Sequence, residues 1–257
     1  MPFIIDATQT SIDVSVAPKR IISLVPSTTH SICALDMKKH LVGVTRFCTE
    51  PVETVEKLPK VGGTKNISVE KVLSLRPDII LANKEENSES DIIALRKRGL
   101  NVYVAFPKTV EEACSELHIL GTILHKDQQA QEQISLISLQ RKHREPFRYA
   151  YLIWNKPLMT ISSECFISAM LTEIGGKNIF ADNKIRYPVI ENIPSEIDAL
   201  LLSSEPFPFQ EKHRSMLATQ FSIPLHKIHF IDGAYCSWHG SKMIKALSYL
   251  HNWRDKL

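Results

Sequence analysis

One segment near the C-terminus combines side chains that could do chemistry. DGAYCSWHGSK, residues 232–242, places Tyr235, Cys236, Trp238 and His239 within five positions. A segment that only turns the chain would be rich in Gly, Asn, Asp and Pro. A cysteine beside a histidine could act as a nucleophile, the same side chains could hold a metal, and the rings could stack on a flat ligand. Packing of a buried corner is the fourth alternative.

The spacing of the cysteines and histidines argues against the first two of these alternatives. No GxSxG, HxxxH, HExxH or paired CxxC motif is present. Residues three apart on a loop seldom align for proton transfer, so a buried structural cysteine is the favoured interpretation. A metal site assembled in space from five distant residues stays open; they are Cys48, Glu85, Glu205, Cys236 and His239.

The chain alternates apolar runs with helical patterns, interrupted once. Predicted strands lie at 20–27, 41–45, 78–83, 101–106, 147–154, 197–204 and 227–232, and residues 109–145 show only helical patterns. Such alternation predicts mainly parallel sheets covered on both faces. We therefore expect an α/β fold with two Rossmann-like lobes, 1–108 and 147–257. The helical segment 109–146, with one long backbone helix, would join them.

Ligands of open parallel sheets bind beyond the carboxyl ends of the strands. If the lobes face each other, the loops at those ends line one cleft, with aromatic rings and a few polar groups typical of small-molecule sites. The predicted ligand-binding residues are Phe47, Cys48, Thr64, Lys65, Asn83, Lys84, Glu85, Trp154, Tyr187, Glu205, Tyr235, Trp238 and His239.

Charge and apolar patterning exclude several classes of protein. The net charge is +3, from 31 basic and 28 acidic residues, which is too balanced to indicate a nucleic-acid partner. The densest basic run, RKHR at 141–144, is interpreted as the solvated end of a helix. No run approaches the ~18 apolar residues of a membrane helix, so membrane insertion is not expected.

The N-terminal residues and the cysteines lead to a prediction of cellular location. Asp6 interrupts the first apolar stretch, no basic residue precedes Lys19, and the five cysteines are widely spaced. A secretory signal needs a basic start and an unbroken apolar core, and oxidised proteins favour paired cysteines. The sequence thus predicts a cytoplasmic protein, or a periplasmic one if the natural chain begins earlier.

The order of the motifs resembles a known family. RIISLVPSTTHSICAL, LVGVTRFC and VGGTKNISVEKVLSLRPDIILAN are similar to the first lobe of class III substrate-binding proteins, also called helical-backbone metal receptors. YLIWNKPLMTIS, FISAMLTEIGGKNIF, SSEPFPF and DGAYCSWHGSK resemble the second lobe. The resemblance covers about 18–250 and implies two lobes, a rigid connecting helix and a ligand held in the cleft. Members bind cobalamin, haem and ferric siderophores.

The resemblance also assigns roles to particular positions. Phe47, Trp154 and Tyr187-Pro188 match aromatic positions of the cobalamin-binding members, and Ala234–His239 matches the last cleft loop. Asn83 stands where those members can carry an aromatic ring, and GGTK replaces another.

A further implied role is docking to a permease. Secreted members dock an ABC permease through one acidic residue on each lobe; Glu70 matches the first, and Glu196 or Glu191 the second.

These observations lead to one functional expectation and two alternatives. The expected function is non-enzymatic binding of a metal-containing or metal-chelating organic ligand, of the cobalamin, haem or ferric-siderophore type, by a monomer that serves an ABC transporter. No cofactor can be assigned beyond that ligand. One alternative is a cytoplasmic enzyme or metal-handling protein that uses Cys48, Cys236, His239 and the two glutamates. The other is a scaffold that acts through protein contacts.

Overall fold

Residues 3–257 are described by a computed structural model, and their strands form one hairpin and two four-stranded parallel sheets. The strands are β1 Phe3–Ile5, β2 Ser11–Asp13, β3 Ile21–Ser23, β4 Leu41–Val44, β5 Ile79–Asn83, β6 Val102–Ala105, β7 Phe147–Leu152, β8 Gly176–Asn178, β9 Ala199–Ser203 and β10 Ile228–Ile231. The strand orders are β4-β3-β5-β6 and β10-β9-β7-β8. The α/β class with parallel sheets is confirmed.

Helices connect most of these strands. They are α1 Pro26–Ala34, α2 Val52–Val55, α3 Val69–Ser74, α4 Glu89–Lys97, α5 Val110–Leu124, α6 Asp127–Gln140, α7 Phe166–Thr172, α8 Glu211–Phe221, α9 Gly233–Ser237 and α10 Met243–Arg254. Single 3₁₀ turns occupy Lys38–His40, Leu225–Lys227 and Gly240–Lys242. Parallel neighbours such as β5 and β6 require these crossovers, because a tight turn cannot join parallel strands.

The chain divides into two compact units. Unit one contains residues up to Pro107, Glu111–Leu136 and His239–Lys242, and unit two contains Lys108–Val110, Ile137–Trp238 and Met243–Leu257. The predicted boundaries of three segments stay a prediction.

The core of unit one explains why its strands read as continuous apolar runs. All five residues of β5 are buried, and Ile22, Ile80, Val102 and Leu95 belong to one apolar cluster on a face of the sheet. Burying each such side chain contributes about 1.5–3 kcal/mol. The helix α3 ends before Pro77, which cannot continue a helix, and Arg76 has a φ of 45°.

Unit two is built in the same way around β7 and β9. Ala150, Leu152, Leu200 and Leu202 form its apolar cluster, and all five residues of β9 are buried. Its sheet places the carboxyl ends of β7, β9 and β10 at one edge, because the three strands are parallel neighbours.

Several elements differ from the sequence-based expectation. The second helix of the helical segment ends at Gln140 rather than near Glu145, so the RKHR run lies beyond it and is not helical. The β1–β2 hairpin, β8 and α8 were not predicted. DGAYCSWHGSK contains the short helix α9, whose first turn is capped by the Asp232 carboxylate accepting from the backbone N–H groups of Ala234 and Tyr235.

Candidate functional site

The carboxyl edge of the sheet in unit one carries a loop that two asparagines hold rigid. The buried Asn83 side chain accepts hydrogen bonds from the backbone N–H groups of Glu85 (2.8 Å) and Glu86 (3.3 Å). Asn87 accepts from the Asn83 N–H and donates to the carbonyls of Leu24 and Thr64. The Asn83 oxygen is therefore committed to the loop, and a ligand contact from this side chain stays a prediction.

Two lysines bring positive charge to the same edge. Lys65 donates from Nζ to the Glu85 carbonyl at 2.6 Å, which ties the loop 62–66 to the loop 83–87. Lys84 is exposed, with its ammonium 5.5 Å from the ring centroid of Phe106. Thr64 is half-buried. The edge thus offers cationic groups that can meet a carboxylate or another anionic group.

The loop after β4 presents one ring and conceals one thiol. Phe47 is 50% exposed, and the Arg46 guanidinium lies 5.3 Å from its ring centroid. Cys48 is buried, and its sulfur accepts from the Thr29 hydroxyl at 3.1 Å and lies 3.2 Å from that of Thr45. Burial raises the pKa of the Cys48 thiol. Phe47 is available to a ligand, whereas Cys48 is neither accessible nor ionised at neutral pH.

In unit two, Trp154 stands at the carboxyl end of β7 on an aromatic base. It is 40% exposed, its ring meets Phe207 edge-to-face at 5.7 Å, and its indole N–H donates to the Lys156 carbonyl at 3.0 Å. Phe207 in turn packs against Phe209 at 4.8 Å and His213 at 5.1 Å. The exposed ring is therefore held in one orientation, which lowers the entropy cost of stacking a ligand on it.

The segment that contains Tyr187 pairs with the segment that follows Trp154. Met159 forms antiparallel bridges with both Trp154 and Val189, and the Thr160 N–H donates to the Pro188 carbonyl. Tyr187 is half-buried beside the Arg186 guanidinium, 5.7 Å from its ring centroid. The structure brings these two predicted aromatic residues into one small antiparallel element of unit two.

The helix α9 is fitted closely against the end of β9. A Cβ at Gly233 would lie 2.5 Å from Cγ of Glu205, so only glycine allows this approach. The Ser237 hydroxyl donates to the Glu205 carboxylate at 3.2 Å. Burial raises the pKa of Glu205, although hydrogen bonds from Ser237 and Trp238 oppose that shift. Glu205 is anchored here as a hydrogen-bond acceptor.

Packing explains most of the unusual residues of DGAYCSWHGSK. Cys236 is fully buried, and burial raises the pKa of its thiol to about 12. Trp238 is only 8% exposed, and Tyr235 stacks on Tyr249 at 4.7 Å. A direct ligand contact from Trp238 or Cys236 would require them to be uncovered, whereas the half-buried Tyr235 keeps part of its surface exposed.

His239 lies in unit one, beside a small internal cavity. Its Nε2 is 3.2 Å from the Ser27 hydroxyl, and burial lowers the pKa of its ring to about 4. The cavity, of about 20 Å³, is also lined by Tyr103 and Glu116, whose hydroxyl and carboxylate are hydrogen bonded at 2.6 Å. A space of that size holds about one water molecule, so it is too small for an organic ligand.

The lowered pKa of His239 leads to a prediction of pH-dependent stability. Above pH 6.5 the imidazole is neutral in both folded and unfolded chains, whereas from pH 6.5 to about 4 the unfolded chain binds the extra proton. The free energy of unfolding should therefore fall as the pH falls through this window, by about 1–3 kcal/mol. In His239→Gln the loss should shrink, as measured by urea denaturation at pH 7 and pH 5. Equal losses in both proteins would contradict the assignment.

The glutamates predicted to dock a permease are all exposed. Glu70 is exposed on α3, 3.4 Å from Arg98, and Glu191 and Glu196 are exposed in unit two.

Among residues 3–257 no group of three His, Cys, Asp or Glu side chains could hold a metal ion. Within the same range no helix has the length and apolar character needed to cross a bilayer.

Comparisons with known proteins agree with the fold. Residues 21–145 match the sequence profile of the family described as periplasmic binding protein. The vitamin B12-binding protein of Vibrio cholerae serotype O1 is 28% identical over 202 residues, which cover 76% of this chain and 71% of that protein.

Solved structures resemble almost the whole chain. The periplasmic vitamin B12 binding protein BtuF of Vibrio cholerae matches with a TM-score of 0.75 at 21% identity, covering 93% of this chain and 97% of its own. The periplasmic heme-binding protein RhuT from Roseiflexus sp. RS-1 matches with a TM-score of 0.80 at 21% identity, covering 93% and 98%. At these identities the structures establish the shared fold.

The prediction of a cytoplasmic location is wrong. It depended on Asp6, which interrupts the first apolar stretch, and on the wide spacing of the five cysteines. The matching family and both similar structures are periplasmic proteins, and these findings point to the periplasm.

Proposed function

We propose that this chain is a periplasmic binding protein, as the profile match over residues 21–145 and the similarity to a vitamin B12-binding protein support, and that it binds a metal-containing or metal-chelating organic ligand without changing it chemically. The ligand class is that of cobalamin, haem and ferric siderophores. The curated relatives are named vitamin B12-binding proteins, and the family consists of non-enzymatic substrate-binding proteins. The buried thiols Cys48 and Cys236 agree with a role that needs no nucleophile.

The observation that carries this proposal is the rigid, exposed indole of Trp154. Its edge-to-face contact with Phe207 and its hydrogen bond to the Lys156 carbonyl fix the ring, while 40% of its surface stays open. A flat, extended ligand gains most from such a preorganised ring, because little side-chain entropy is lost on stacking. Tyr187, in the same unit, would add a further ring contact, and the exposed ring of Phe47 offers a comparable surface in unit one.

Polar groups would set the orientation of the ligand. Lys84 and Arg46 in unit one offer positive charge to carboxylates such as those of haem or a siderophore. Glu205 and Tyr235 in unit two offer acceptor and donor groups. The proposed ligand-binding residues of unit one are Arg46, Phe47, Thr64, Lys65, Lys84 and Glu85, with Asn83 as a support; Cys48 is left out, and His239 lies at the small cavity. Those of unit two are Trp154, Tyr187, Glu205 and Tyr235, with Trp238 as a support.

Delivery of the ligand to an ABC permease completes the proposal. The exposed carboxylates of Glu70 and Glu196 would dock the permease, and the binding protein would act as a monomer. Exposed carboxylates suit this role because charge complementarity speeds association more than it adds affinity.

Equilibrium titration of the purified protein with cyanocobalamin, haemin and a ferric hydroxamate tests the function. We expect saturable binding of at least one of them with quenching of tryptophan fluorescence, because a bound chromophore near Trp154 accepts its excitation. A colourless hydroxamate without iron serves as the control. Absence of saturable binding with all three ligands would overturn the proposal.

A further inference from the structure

A groove of about 430 Å³ lies in unit two at the amino ends of two parallel strands. One wall is the segment 141–146, which leads into β7, and the other is 172–177, which ends α7 and begins β8. Phe147 and Gly176 are paired in the parallel register of β7 and β8. The groove is therefore at the edge of the sheet opposite to Trp154 and is separate from the proposed ligand contacts.

The groove has a fixed frame. Gly175 has a φ of 84°, and a Cβ there would lie 2.4 Å from the Glu145 carbonyl, so a side chain is excluded. The Phe147 N–H donates to the Gly175 carbonyl at 2.9 Å. Arg141 forms two hydrogen bonds to the Glu173 carboxylate, at 2.6 and 2.7 Å, which tie the two walls together.

The lining of the groove is strongly basic. Arg141, Lys142, Arg144 and Lys177 face a single lining carboxylate, that of Glu173. Cations just beyond a helix also stabilise its C-terminus, and α6 ends at Gln140. Helix capping needs fewer charges than are present here, and it does not account for Lys177, which comes from another part of the chain.

The two arginines and the two lysines have different surroundings. Arg141 pairs with Glu173, and Arg144 pairs with Asp255 at 2.6 Å. Lys142 and Lys177 are exposed on opposite walls of the groove, with the exposed ring of His143 between Lys142 and Arg144 in sequence. The arginines stabilise the frame, and the lysines are the groups that a bound anion would meet.

We propose that this groove binds a phosphate-bearing anion. Lysine ammonium groups are strong donors to phosphate oxygens, and a concave surface of one sign of charge concentrates anions. The phosphate could belong to a soluble compound or to a lipid headgroup, and the chemistry of recognition is the same. The proposal is independent of the ligand bound at the carboxyl edge.

Calorimetric titration with pyrophosphate and sedimentation with vesicles test the proposal and separate the two sources. The vesicles contain phosphatidylglycerol, and phosphatidylcholine vesicles serve as the uncharged comparison. The test variant is Lys142→Gln/Lys177→Gln. The matched control is Lys212→Gln/Lys245→Gln, which removes the same charge from exposed positions of unit two outside the groove. Lys142, Lys212 and Lys245 lie outside the strands, and Lys177 lies in β8 but is exposed. We therefore expect both variants to fold.

The expected result is saturable binding of pyrophosphate or of the anionic vesicles by the natural protein, weakened at least about tenfold in the test variant and less than about twofold in the control. Binding of pyrophosphate alone identifies a soluble phosphate compound, and binding of vesicles alone identifies a headgroup. Binding of neither probe, or an equal loss in the two variants, would overturn the proposal. Titration of the test variant with whichever of cyanocobalamin, haemin and the ferric hydroxamate the natural protein binds should be unchanged, so failure here is distinguishable from failure of the proposed function.

Discussion

Replacing Asp6 with alanine is expected to lower the free energy of unfolding by about 3–5 kcal/mol. The buried Asp6 carboxylate accepts from the backbone N–H groups of Thr8, Thr10 and Val104 and pairs with Arg96 at 2.5 Å. It therefore joins the β1–β2 hairpin to β6 and α4 within unit one. Removing the carboxylate would leave the buried Val104 N–H without its acceptor. It would also leave the largely buried Arg96 guanidinium without its ion-pair partner.

A carboxylate of the same hairpin provides the control for this variant. Asp13 is exposed, and its hydrogen bonds come from the adjacent Ser15, whose N–H lies 2.9 Å from the carboxylate. Urea denaturation at pH 7 should show a large shift for Asp6→Ala and little change for Asp13→Ala. If both variants are equally stable, Asp6 does not have the structural role inferred here.

Replacing Trp154 with alanine is expected to weaken binding of the ligand by about 1–3 kcal/mol, in the range of buried aromatic anchors. The indole is exposed before binding and fixed by Phe207 and the Lys156 carbonyl, so its truncation removes contact area without opening the core. Trp154→Phe should retain part of the affinity because a ring remains. Titration with the ligand found for the natural protein measures both effects.

Phe230 offers a matched control for Trp154. It is 41% exposed in β10, close to the 40% of Trp154, but the sequence does not place it at a carboxyl-end loop. Phe230→Ala should leave the affinity unchanged. Equal loss of affinity in Phe230→Ala and Trp154→Ala would show that exposed rings contribute nonspecifically, and it would remove Trp154 from the site.

The sequence was sufficient for the elements whose signal is local. The runs that form β5 and β9 are apolar up to their last residues, Asn83 and Ser203, and both strands are buried along their whole length. Gly99 ends α4 with a φ of 76°, as its position predicts. The α/β class and the family resemblance followed from the order of such segments.

Elements that depend on contacts distant in sequence were not predictable. The helix α8 begins at a reciprocal cap between Gln210 and His213, an uncommon pair of capping residues. The hairpin β1–β2 depends on Asp6 and its contact with Arg96, ninety positions later in the sequence. Neither contact has a pattern that a local window of sequence can detect.

The candidate site also combines features that the sequence predicts with features that depend on packing. The aromatic and charged residues at strand ends were identified by type, and Trp154, Phe47 and Lys84 are indeed exposed. The burial of Cys48 depends on the hydroxyls of Thr29 and Thr45, and the fixed role of Asn83 depends on the turn that it closes. A residue type suggests chemistry, but the packing around it decides whether a ligand can reach it.

Hydrogen exchange with and without saturating ligand tests the central claim most directly. The account predicts slower exchange in loops at the carboxyl edges of both sheets, at 45–50, 62–66 and 83–87 in unit one and at 154–157, 186–188 and 204–209 in unit two. The amino-edge segments 141–146 and 172–177 should not change. Slower exchange centred on the amino-edge segments, or no change in any of the carboxyl-edge loops, would contradict the claim that carboxyl-edge loops bind the ligand.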